Sequence, residues 1–115
     1  MIQLKVLNYV LENKDIDIIN VHDSKYFSNY TEEYNFIKQY IAEHNTTPDI
    51  MTMINAFEGF TLMHVEESRE YLLDKLYEDY VYINTVHAIN DNLSLFRYNP
   101  IAGKKAILEA LNAIE

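Results

Sequence analysis

Four histidines are the side chains best suited to catalysis or metal binding in this chain, which has no cysteine. They stand far apart, at His22, His44, His64 and His87. Only His64 and Glu67 share a spacing that a helix would place on one face, as an imidazole and a carboxylate must be to hold a divalent metal. No further ligand is marked by its spacing, and lone histidines serve structural or surface roles more often than they ligate. The sequence therefore predicts no metal. Without cysteine there is no disulfide framework, no thiolate zinc site and no thiol nucleophile. Ser24, Ser28, Ser68 and Ser94 could each offer a hydroxyl, but none lies in a nucleophile elbow or beside a marked base. Gly103-Lys104-Lys105 is the only fragment similar to a phosphate loop. A P-loop would need glycine where Tyr98 stands and Ser or Thr where Lys105 stands. The pattern predicts no catalytic group and no cofactor.

Charge narrows the partners. Nine basic residues face eighteen acidic ones, a formal charge of −9 over 115 residues. Affinity for nucleic acid comes largely from Lys and Arg neutralising phosphates, so direct nucleic-acid binding is not expected. Glu66, Glu67, Glu70, Asp74, Glu78 and Asp79 crowd one stretch. They form either a solvated helix face favoured by the dipole or a docking surface for a basic partner. The opening MIQLKVLNYVLENKD has no basic segment followed by an apolar run, and no stretch approaches the ~18 apolar residues of a membrane helix. The expectation is a soluble, cytoplasmic, single-domain protein without membrane contact.

Two glycines and two prolines leave few places for turns, and ten tyrosines suit half-buried helix faces and interfaces. The periodicity predicts a first helix from Ile2 to about Glu12, then a short helix from Ile16 to about Val21 capped by Asp15, with a strand as the alternative because Ile16-Asp17-Ile18 alternates, and a loop pinned by Tyr26-Phe27. A third helix is expected from Tyr30 to about His44, opened by a capping box of Asn29 and Glu32. Thr47 as cap with Pro48 in the first turn starts a fourth, ending near Phe57. Residues 58–64 then cross, in extended form, to the last segment.

That segment, 65–115, reads as a long helical hairpin following a small bundle of residues 1–64. From Val65 to about Phe96 there is neither Pro nor Gly, and apolar residues recur at helical spacing. Such an arm would be on the order of 40 Å long and would protrude beyond its own core. Arg97 to Pro100 breaks the pattern, and a return helix runs from Ile101 to about Ile114. The fold class is all-α, a small helical bundle followed by a protruding long helical hairpin. The expected protein interface uses Tyr80, Ile83, His87, Leu93 and Phe96 on the first arm, with Ile101, Ile107 and Leu111 on the return arm. Each of these could equally pack one arm on the other.

The order of these elements and several local words are similar to one family. Leu4-Lys5-Val6-Leu7-Asn8-Tyr9-Val10-Leu11, then Asp23-Ser24-Lys25-Tyr26-Phe27 with Asn29 and Phe36, then Thr47-Pro48-Asp49-Ile50-Met51-Thr52-Met53, then Glu70-Tyr71-Leu72-Leu73-Asp74-Lys75-Leu76 together resemble the N-terminal domain of DnaB-type replicative DNA helicases, in the shortened form of bacteriophage helicases. The resemblance covers nearly the whole chain and lies in the order of the words. It implies a non-catalytic assembly domain whose hairpins pair with those of a second copy, three dimers forming a collar that binds primase or a helicase loader. The segment between Phe57 and Val65 is shorter than in cellular members. The ATPase motor would follow Glu115, so the chain alone is expected neither to hydrolyse ATP nor to unwind DNA. A free-standing small helical protein that binds a replication protein is the alternative, and a metal enzyme built on His64 and Glu67 a more distant one.

Overall fold

The computed structural model describes residues 1–115. In chain order these form α1 (Ile2–Asn13), α2 (Ile16–Val21), a 3-10 turn (Ser24–Phe27), α3 (Thr31–His44), α4 (Ile50–Ala56), α5 (Arg69–Asn90), α6 (Leu93–Tyr98) and α7 (Pro100–Asn112), with no strand. The all-α class is as the sequence predicts. The chain divides into two compact units, 1–76 and 77–115. The division falls inside α5 rather than at residue 64, because Leu72 and Leu76 on its first turns belong to the core of the first unit.

That core is built around α1. Val6, Leu7 and Val10 are fully buried and pack with Ile18 and Ile19 of α2, Phe27 of the 3-10 turn, Tyr34 and Ile37 of α3, Met53 of α4, and Val65, Leu72 and Leu76. Phe27 and Tyr34 stack with ring centroids 5.1 Å apart, and Tyr26 packs half-buried against the same core, so both members of the expected aromatic pair hold this loop. Tyr34 brings a hydroxyl into this core. It lies 2.6 Å from the His22 carbonyl and 3.0 Å from that of Ile19, and donates its single proton between them. Desolvation by burial raises its pKa above the ordinary tyrosine value.

Local chemistry departs from the sequence reading at five helix ends. Asp15 precedes α2 without capping it; its carboxylate instead accepts from Arg69 Nε at 2.7 Å. The Asn29–Glu32 capping box is absent, because the Asn29 amide donates to Gln3 Oε1 and α3 begins at Thr31. The cap of α4 is Asp49, which accepts from the Thr52 amide at 2.8 Å, and not Thr47. The long arm starts at Arg69 and stops at Asn90. Asn90-Asp91-Asn92 ends it, since short polar side chains bond the backbone and compete with the helix; Asn92 Nδ2 donates to the Ala88 carbonyl at 2.8 Å. A new helix, α6, starts at once. The arm is thus 22 residues, or about 33 Å.

Replacing Tyr34 by Phe strips two buried carbonyls of their donor while leaving the ring in place. The expected cost is about 1–2 kcal/mol, read as a lower urea midpoint with unchanged slope.

Candidate functional site

Two features stand out from the packed core: an apolar face in the second unit, and a polar fastening of the segment between α4 and α5 onto α1.

In the second unit, residues 77–115, the large apolar side chains are mostly in solvent. Tyr80 and Ala88 are buried on α5, and Gly103 on α7. Tyr77, Tyr82, Val86 and Ile89 on α5 are exposed, Tyr82 to 71%. Tyr77, Val81, Tyr82, Thr85 and Val86, with the carboxylate-bearing Glu78 among them, line one shallow hollow at helical spacings. Leu95, Phe96, Tyr98, Ile101 and Leu108 add exposed apolar surface from α6 and α7.

The residues expected at an interface are divided by this arrangement. Tyr80 is buried within the chain, and Ile83, Leu93, Ile107 and Leu111 are half-buried. His87, Phe96 and Ile101 are exposed, Ile101 to 86%. On this part of α5 the exposed large apolar side chains are therefore Tyr77, Tyr82, Val86 and Ile89, and of the expected stripe only Tyr80 is fully buried. The sequence carried a signal for this: Asn84 and Ala88, four and eight residues after Tyr80, are the small or polar residues of an inward face. Asn84 Nδ2 donates to the Tyr80 carbonyl at 2.8 Å.

Gly103, the residue that gave the phosphate-loop resemblance, lies within α7 and has a packing role. A Cβ there would come within 2.2 Å of Phe96 Cα. Only glycine lets α7 approach the α6 backbone so closely. Asn99 caps α7 by accepting from the Ala102 amide at 3.1 Å, with Pro100 in the first turn.

In the first unit, Asn8 of α1 is buried and uses both ends of its amide. Its nitrogen donates to the carbonyls of Leu4 and Thr61, each at 3.0 Å, and its oxygen accepts from the Met63 amide at 3.0 Å. Further along, His64 Nδ1 meets Glu12 Oε2 at 2.6 Å, and Lys5 Nζ donates to Glu67 at 3.0 Å. The spacing of His64 and Glu67 thus does not make a ligand pair. The segment is not helical there, and each residue finds its own partner on α1. No group of three or more His, Asp or Glu is placed to hold a metal ion. Ser68 Oγ accepts from the Tyr71 amide at 3.1 Å, capping α5, and Ser28 Oγ accepts from Gln3. No helix is long and apolar enough to cross a membrane.

Comparison with protein-family models, with curated proteins and with solved structures gives no match. The likeness to the helicase domain rests on the order of the sequence words.

Gly103→Ala gains ~1 kcal/mol of helix propensity but drives a methyl into the Phe96 backbone. The expected net effect is a loss of about 1–3 kcal/mol in stability, with reduced helicity by circular dichroism. Lys104→Ala, beside it and exposed, should change neither.

Proposed function

We propose that the chain is a non-catalytic N-terminal assembly and partner-docking domain of a DnaB-type replicative hexameric helicase, working in the cytoplasm. It pairs with a second copy through residues 77–115, three such pairs form a collar, and the assembly offers a surface to primase or a helicase loader. The domain itself contacts no nucleic acid.

The observation that carries this reading is the apolar face of α5 around Tyr82 and Val86 on a unit that buries few large side chains of its own. A segment of about 40 residues seldom buries enough apolar surface to hold itself together. Covering the exposed side chains contributes roughly 1.5–3 kcal/mol each. A handful of them offsets the ~4–15 kcal/mol of freedom lost on association. The formal charge of −9 fits a domain that leaves DNA to other parts of a helicase.

The test is solution mass by size-exclusion chromatography with light scattering over a range of concentrations. The wild-type chain should form a dimer or larger assembly that dissociates on dilution. Val86→Asp and Tyr82→Asp should each shift the midpoint of dissociation at least tenfold upward, while the urea midpoint of the first unit stays put. Wild-type protein that stays monomeric at millimolar concentration, or variants that associate as well as it does, would count against the proposal.

A further inference from the structure

Residues 58–68 carry no helix, yet they lie fastened along α1. Asn8 holds Thr61 and Met63 by their backbone, as a neighbouring strand would. One turn further along α1, Glu12 takes His64 on one carboxylate oxygen at 2.6 Å and the Val65 amide on the other at 3.4 Å. Lys5 grips Glu67 at 3.0 Å, and Arg69 meets Asp15 at 2.7 Å. Val65, between these contacts, is buried in the core. The segment is a strap with one anchor in the core and polar ties on either side. Of these ties only that of His64 changes its charge near neutral pH.

We propose that protonation of His64 sets how tightly this strap is held. The imidazolium locks onto Glu12. Its neutral form loosens residues 61–65 and widens the hollow that Leu62, Met63 and His64 line together with Leu11 and Ile50.

The charged groups facing His64 are Glu12 from α1 and Glu66 from the strap itself, the latter at 3.7 Å from Nε2. α4 contributes apolar Ile50 to this hollow, and Glu12 also borders Lys14 and Asp49 across an adjoining one. Both carboxylates near the imidazole favour its charged form. The hydrogen bond that His64 donates to Glu12 comes first in raising the His64 pKa above the ordinary 6.5, and the same bond holds the Glu12 carboxyl below its ordinary 4.5. A histidine raised on folding contributes fully below its unfolded value and loses that contribution as pH rises through the folded one. A carboxyl that is lowered loses its contribution as pH falls through its folded value. The strap is thus locked between these two limits and loosens above the upper one. His64 is exposed to 67% and Glu12 to 38%, so the effect is local and does not unfold the chain.

The experiment is NMR on the full chain. His64 should titrate higher in the wild type than in Glu12→Gln. From about pH 6 to about pH 8.5, after correction for intrinsic exchange, the Met63 and Val65 amides should lose about two- to fivefold more protection than the core amides of Val10 and Leu72, the scale of an exposed ion pair. In His64→Gln that difference should vanish. Urea midpoints would verify that both variants are folded. Protection at Met63 and Val65 that follows the core amides at every pH would overturn the proposal, as would a His64 titration indifferent to Glu12. The strap lies wholly in the first unit, so neither result bears on pairing through the second.

Discussion

The first unit depends on α1 being buried on nearly every side while still satisfying its polar side chains. A central helix of this kind is costly unless each buried amide finds partners. Gln3 and Asn8 meet that condition in the same way. Gln3 donates to Ser28 and accepts from the Asn29 amide, and Asn8 donates to Thr61 and accepts from the Met63 amide. Each side chain thereby binds a non-helical segment to α1, before α3 and before α5 respectively. Around them, Val6, Leu7 and Val10 supply the apolar contacts that the other helices share. The position of the connecting segments follows from α1, not from any strand or disulfide.

The second unit is organised differently. Within it, the approach of Gly103 to the Phe96 backbone leaves no room for a Cβ and sets α6 closely against α7. Few large side chains are buried in it, while Tyr82, Tyr98 and Ile101 are largely in solvent. Helices of this length are marginal in water without tertiary packing of an apolar face. The proposed pairing would supply that packing by covering the apolar face of α5.

Helix periodicity made most of the fold legible. The all-α class and the extent of α2, and the core roles of Leu7, Ile37 and Leu72, follow from apolar spacing and the scarcity of glycine. What periodicity missed were decisions made by long-range partners. Asn29 and Asp15 look like caps in isolation, but Gln3 and Arg69, distant in sequence, engage them first. The break at Asn90-Asp91-Asn92 was hidden because neither Pro nor Gly marks it. At the candidate interface, Tyr80 and Tyr82 are alike in type and nearly adjacent; Tyr80 is buried and Tyr82 exposed, and only the spacing of Asn84 and Ala88 from Tyr80 marks the difference in the sequence. The clamp role of Asn8 needed the course of residues 61–63, which no local pattern announces.

The most direct test of this account is amide hydrogen exchange across the whole chain at several concentrations, with mass measured in parallel. Amides of residues 2–76 should be equally protected at every concentration, whereas those of residues 77–112 should gain protection as the assembly forms. Strong, concentration-independent protection of the second unit in a strictly monomeric chain would contradict the claim that a second copy completes it.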